Sequence, residues 1–202
     1  PAAGAIVPAP DRSAIYVVDA RPGRIHKFHA DGAYDTEFGS AQLGIPTAVA
    51  LDSDGNLYVT DHDDNRVHVF SPGGSHLRSW GGLGSSDGKF DGLFGIAVYD
   101  DRVYVSDFNN HRVQVFDLDG AYLGQWGSPG VADGEFVGPT NLNVDRDGNV
   151  LVADSGNFRI QKFSPAGDFL TAFGSEGSGN GEFSGQVAAT IAPDSSVYVL
   201  DP

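Results

Sequence analysis

Tyr58-Val59-Thr60-Asp61-His62-Asp63-Asp64-Asn65-Arg66-Val67-His68-Val69-Phe70 is two short apolar runs separated by a polar gap. Each run is rich in β-branched and aromatic residues, the composition of a strand. Upstream, Ile45 to Leu51 alternates as a third strand, and Asp52-Ser53-Asp54-Gly55-Asn56 between them carries the Asp-Gly hairpin signal. Downstream, Ser71-Pro72-Gly73-Gly74 turns the chain again and His76 to Trp80 reads as a fourth strand. The stretch 44–81 is therefore predicted to be one four-stranded antiparallel sheet.

The same grammar recurs. An aspartate closes the second strand and an arginine opens the third, five residues on, at Asp19/Arg24, Asp61/Arg66, Asp107/Arg112 and Asp154/Arg159. Asp201 falls at the same place in a fifth repeat without its arginine. Successive aspartates lie 42, 46, 47 and 47 residues apart. A strand-filled period of roughly 40–50 residues is the signature of propeller blades. The predicted fold is all-β, a β-propeller of four-stranded antiparallel blades over 5–39, 44–81, 92–127 and 138–174, with a partial blade at 185–202. About four and a half blades suggest part of a six-bladed ring, or a ring completed by another chain. Left unpaired, Val197 to Leu200 would be an exposed edge that invites self-association.

Composition narrows the classes. The 202 residues carry a net charge of −15, from 23 Asp and 4 Glu against 9 Arg and 3 Lys. An acidic surface repels phosphate backbones, so a nucleic-acid partner is not expected. No stretch has the ~20 apolar residues of a membrane helix, so membrane contact is expected only through segments outside this chain. There is no cysteine, which removes disulfides and thiolate chemistry, and no methionine. The chain is thus expected to be a matured secreted product or a piece of something longer, with an extracellular or cell-surface setting.

Several coupled positions resemble NHL repeats. They are Tyr-Val-Thr-Asp-x4-Arg-Val-x-Val-Phe at 58–70, Tyr-Val-Ser-Asp-x4-Arg-Val-x-Val-Phe at 104–116 and Val-Ala-Asp-x4-Arg-Ile-x-Lys-Phe at 152–163. Gly-Ser-His-Leu-Arg-Ser-Trp-Gly at 74–81, Asp-Gly-Lys-Phe at 87–90 and Asp-Gly-Glu-Phe at 133–136 agree with that pattern. The first repeat departs most, with Ala20-Arg21-Pro22-Gly23 before Arg24. The resemblance implies a propeller that is most often a binding platform, while a minority of such propellers are enzymes, notably a zinc-dependent amidating lyase. In that lyase the zinc histidines follow a proline at the start of the inner strands. The matching positions here are Thr47, Thr140, Phe94-Gly95 and Gln186, none of them a histidine, so zinc is not expected.

The Asp/Arg pairs recur in every full repeat and are read as structural bridges. Loops after the second and fourth strands fall on one face, while the opposite face carries tight turns. Binding residues concentrate on loops held by a rigid scaffold. His62, Asp63, Asp64, Phe108, Asn109, His111, Asn157 and Phe158 are the expected contributors. Phe90, Phe136 and Phe183 recur at one repeat position and are expected to be packing anchors. His26 and His68 share one third-strand position and look like a repeat feature. Asp52-x-Asp54-Gly55-Asn56 and Asp145-x-Asp147-Gly148-Asn149 open like calcium loops but lack the distal glutamate, so calcium is the one cofactor left open. No Gly-x-Ser-x-Gly elbow supports a nucleophile. The expected function is non-catalytic recognition of a protein, peptide or glycan. The alternative is a metal-dependent propeller lyase or hydrolase with a channel-centred site.

Overall fold

The computed structural model describes residues 5–185, 188–192 and 194–201. The chain forms two compact units, 1–101 and 102–202, divided at the tight turn after Tyr99. Among the described residues, every regular element apart from one 3-10 turn at Ser155–Asn157 is a strand. Among the described residues no helix is long and apolar enough to cross a membrane.

In the first unit, β1 (Ile6–Pro8), β2 (Ala14–Asp19), β3 (Arg24–His29) and β4 (Tyr34–Phe38) form one antiparallel sheet in that order. The next sheet is β5 (Pro46–Leu51), β6 (Leu57–Asp61), β7 (Arg66–Phe70) and β8 (His76–Gly81). It is followed by β9 (Leu93–Tyr99), which packs against β5 and β6. The second unit holds β10 (Arg102–Asp107), β11 (Arg112–Asp117) and β12 (Tyr122–Trp126), hydrogen-bonded in sequence. A complete sheet of β13 (Pro139–Val144), β14 (Val150–Asp154), β15 (Arg159–Phe163) and β16 (Phe169–Phe173) comes next. Last is the two-stranded sheet of β17 (Ala188–Ile191) and β18 (Val197–Leu200). The strands lie where the hydrophobic pattern places them, and β1 adds the first strand that the untidy start of the chain obscures.

Burial explains the composition of each strand. All five residues of β6 and of β14 are buried, because a second strand lies in the middle of its sheet with both faces covered. Those strands accordingly read as largely apolar runs ended by a carboxylate. The fourth strands are among the most exposed, as in β4, and in β12 half-buried and exposed residues alternate. Exposed Tyr198 and Leu200 lie on β18.

Hydroxyls tie the inner strands β5 and β13 to their neighbours within a unit. The ladder between β5 and β6 shifts register between Pro46 and Ala48, and Thr60 Oγ1 accepts the Ala48 N–H there at 3.0 Å. Thr47 Oγ1 lies 2.9 Å from Thr60 Oγ1 and donates to the Leu93 carbonyl at 3.0 Å. In the second unit Ser106 Oγ donates to the Thr140 carbonyl, and Thr140 Oγ1 meets Ser155 Oγ at 2.6 Å. Buried hydroxyls without such partners would destabilise the sheets. Thr47 and Thr140 are thus engaged in holding strands together.

The two calcium-like turns are self-contained. Asp52 Oδ1 accepts the N–H groups of Asp54 and Asn56 at 3.0 and 2.8 Å, and its Oδ2 accepts Asn56 Nδ2 and the Tyr58 hydroxyl. Burial, with Asp52 beside it, pushes the Tyr58 hydroxyl up to about 12. Asp145 repeats the turn and adds Lys162 Nζ at 2.8 Å. Burial works to raise the Asp145 carboxyl, but Lys162 and the Asn149 donors outweigh it and hold the group below its ordinary value. A carboxylate depressed in the folded state stabilises fully above its unfolded value of about 3.9 and loses that contribution as pH falls through the lower folded value. Asp145→Asn is therefore expected to flatten the acid limb of a stability-versus-pH curve from urea midpoints. An unchanged acid limb would show that the Lys162 contact contributes nothing.

Candidate functional site

The loops between second and third strands are built around the repeated aspartate. In the second unit Asp154 Oδ2 accepts Arg159 Nε at 2.8 Å, Gln161 Nε2 at 3.0 Å and Asn157 Nδ2 at 2.8 Å, while Oδ1 accepts the Val137 N–H at 2.8 Å. One buried carboxylate thus closes its own loop and fastens the connector before its sheet. Asp107 closes its own loop in the same way, with Arg112 Nε at 2.7 Å, Gln114 Nε2 at 3.1 Å and Asn110 Nδ2 at 2.9 Å. Asp201 accepts the Ser184 N–H at 2.8 Å. In the first unit Asp19 takes Arg24 Nε at 3.3 Å, with His26 Nε2 at 3.4 Å in the place of the glutamine.

Asp61 departs from this pattern, and the expected Asp61/Arg66 bridge is corrected. Asp61 Oδ1 accepts the N–H groups of Ile45 and Asp63, and Oδ2 accepts that of Gly44. Arg66 Nε instead lies 3.8 Å from Asp64 Oδ2. The physical reason sits three residues after Asp61. Where the sibling loops of the second unit carry Asn110 and Asn157, which donate to their aspartates, this loop carries Asp64, which cannot donate. The extra carboxylate draws the guanidinium outward and also holds His68, whose Nε2 lies 3.1 Å from Asp64 Oδ2. His68 Nδ1 in turn meets His76 Nε2 at 3.3 Å. Partial burial, and then the neighbouring His68 ring, lower the pKa of His76. Oxygen and nitrogen atoms of Asp61, Asp64 and His68 lie within 4.8 Å of one another, a group that could hold a metal ion.

The other expected contributors divide by exposure. His62, Asp63, Asp64 and Asn109 are exposed. The His62 ring sits 5.3 Å from the ring of Phe94, and the His62 backbone N–H donates to the Ile45 carbonyl. Asn157 is tied to Asp154 and to the Gly130 carbonyl. Asn65, His111 and Phe158 close their loops at φ 56°, 55° and 53°, in the left-handed region. Asparagine and histidine are enriched there and phenylalanine is an outlier, but each gains support from its surroundings. His111 finds it by accepting the Gly138 N–H on Nδ1 at 3.1 Å, as Asn65 accepts the Gly92 N–H at 2.8 Å. Phe158 packs half-buried against Leu151, Ala153, Ile160, Phe183 and Ala189. Phe108 is also half-buried and lies so close over Gly138 that a Cβ there would come within 2.6 Å of its ring. These aromatic and imidazole groups brace loops, and the exposed side chains are the shorter polar ones and His62.

The connectors 82–92 and 128–138, and residues 175–185, are closed by single bridges at Leu83↔Phe90, Pro129↔Phe136 and Glu176↔Phe183. The three phenylalanines are buried, which is the anchoring role expected of them. Connector 128–138 is fastened further: Arg159 Nη2 donates to the Ala132 and Glu135 carbonyls, and Gln161 Nε2 to that of Glu135. Gln186 lies outside the described residues.

Residues 84–164 match the family described as a 6-bladed beta-propeller, and 43–70 match the NHL repeat. The chain is a β-propeller that carries an NHL repeat. No curated protein sequence matches it. Among solved structures, the propeller is similar to Kuenenia stuttgartiensis hydrazine synthase, with a TM-score of 0.72 at 16% identity over 98% of this chain and 55% of that one. It is also similar to a streptogramin B lyase, with a TM-score of 0.71 at 14% identity over 99% of this chain and 69% of that one. The WD40 repeats of RRP9 give a TM-score of 0.66 at 18% identity over 82% of this chain and 49% of that one. The propeller spans about half the length of the hydrazine synthase and RRP9 chains. At such identities these likenesses speak for the fold alone.

Proposed function

We propose that the chain is a non-catalytic binding or scaffold propeller that recognises a protein, peptide or glycan through its second-to-third-strand loops. One observation carries this reading: buried carboxylates clamp those loops while leaving His62, Asp63 and Asn109 exposed at their tips. The clamp repeats and the tips differ, which is how a rigid scaffold displays variable contacts. WD40-repeat neighbours fit a scaffold, and a lyase neighbour shares the fold without deciding the chemistry. An extracellular or cell-surface setting and self-association through β18 belong to the same proposal.

The test is a peptide-phage and glycan-array panel against the purified protein. Binders are expected to lose at least about tenfold in affinity to His62→Ala/Asp63→Ala/Asn109→Ala, since tip contacts are worth roughly 1–2 kcal/mol each when central. They should be retained by Asp54→Ala/Asp147→Ala, which alters exposed residues of the opposite tight turns. Binders that ignore the loop tips and respond to the turn variant would sink the proposal.

A further inference from the structure

We infer that the β6–β7 loop is a divalent transition-metal site, with Asp61 Oδ2, an Asp64 carboxylate oxygen and His68 Nε2 as ligands. The inference is independent of the recognition role above and rests on a comparison of the loop with its own siblings.

In the second unit, Oδ2 of the clamp aspartate receives three side-chain donors. For Asp154 these are Asn157 Nδ2, Arg159 Nε and Gln161 Nε2. In the β6–β7 loop all three are gone from the same oxygen. The asparagine is Asp64, the glutamine is His68, and the guanidinium of Arg66 has moved to Asp64. Asp61 Oδ2 keeps a single donor, the Gly44 N–H, although Asp61 is fully buried. A buried carboxylate with open lone pairs and no cation partner is costly. Two neutral amides have thus been exchanged for two metal-ligating groups, at the positions that converge on the vacated oxygen.

The imidazole is set up in the way metal-bound histidines are. His68 is buried, and its Nδ1 is held by His76 Nε2 at 3.3 Å, the outer hydrogen bond that fixes ring orientation and leaves Nε2 for the metal. That Nε2 faces Asp64 Oδ2 at 3.1 Å. A proton between them satisfies this one contact. A divalent cation satisfies it and also balances the open oxygen of Asp61. Zinc bonds are about 2.0–2.2 Å long, and Asp64, the exposed member of the three, has the freedom to close the remaining distance. Two carboxylate oxygens and one imidazole nitrogen suit Zn2+, Co2+ or Mn2+, and the nitrogen disfavours Ca2+. Arg66, nearly half exposed, can swing into solvent when the cation enters.

The experiment is calorimetric titration of tag-free, chelator-stripped protein with Zn2+, with Co2+ absorption as a second readout. One equivalent is expected to bind with micromolar or tighter affinity. Asp64→Asn/His68→Gln, which restores the residues of the sibling loops, is expected to weaken binding at least about 30-fold, since loss of an outer partner alone costs 10–100-fold. A histidine 15N spectrum of the unaltered protein needs no variant to fold, and Zn2+ should shift the His68 ring nitrogens first. Absence of saturable one-equivalent binding would overturn the assignment. So would binding within threefold of wild type in the double variant, or a first shift at His62 or His29 instead.

Discussion

Asp154→Ala is expected to lower the unfolding free energy by about 3–5 kcal/mol, the range for removing one partner from a buried ion pair. The carboxylate is fully buried and gathers four donors from three segments: the connector at Val137, the loop at Asn157, and β15 at Arg159 and Gln161. Alanine leaves Arg159, whose side chain is only 13% exposed, without its carboxylate. It also frees the Val137 N–H, so the connector and the loop should loosen together. Urea unfolding measures the loss, and amide exchange at Val137 and Gly156 reports the loosening. The contrast lies in the first unit. Arg66 is 46% exposed and 3.8 Å from its carboxylate, so Arg66→Ala should cost no more than about 1 kcal/mol. Equal losses for Arg66→Ala and Arg159→Ala would mean that the two loops are equivalent after all, and the account of Asp61 would fail with that result.

This non-equivalence also marks how far the sequence could be read. The Asp-x4-Arg spacing is legible because Asp19↔Arg24, Asp61↔Arg66, Asp107↔Arg112 and Asp154↔Arg159 are all facing pairs across a four-residue loop. Backbone register thus enforces the period whether or not the side chains meet. Whether they meet depends on the residue three positions after the aspartate. An asparagine and an aspartate there look alike as polar loop residues, yet one donates and the other repels. His68 was visible as a shared position with His26, but its chemistry follows from Asp64, which belongs to the preceding loop. Loop aromatics mislead in the opposite sense. Phe108 and Phe158 stand out among turn residues as binding candidates, and the fold uses the one to cover Gly138 and the other to seal a small core. Phe158 does so from a left-handed backbone, which no sequence pattern announces.

Phe136→Ala is the second large effect, expected at about 3–5 kcal/mol from lost burial plus the cavity left behind. The ring is fully buried and packs 5.5 Å from that of Phe163. It also fills the space beside Gly127, where a Cβ would come within 2.5 Å of it. Gly127 has φ 99°, so its backbone is not free to adjust around a smaller neighbour without losing the turn. Phe136 further carries both hydrogen bonds that close the connector, its N–H to Ser128 and its carbonyl from Gly130. These are backbone bonds that alanine could still make, so the variant separates anchoring from closure. If the ring is the anchor, amide protection at Gly130 and Phe136 falls along with stability. If protection persists while stability drops, closure is local and the ring serves only the core. Val131→Ala at the exposed tip of the same connector should change neither quantity, because its side chain is three-quarters exposed. A loss above about 1 kcal/mol for Val131→Ala, or below that for Phe136→Ala, would show that the connector is held from its tip and not from its base.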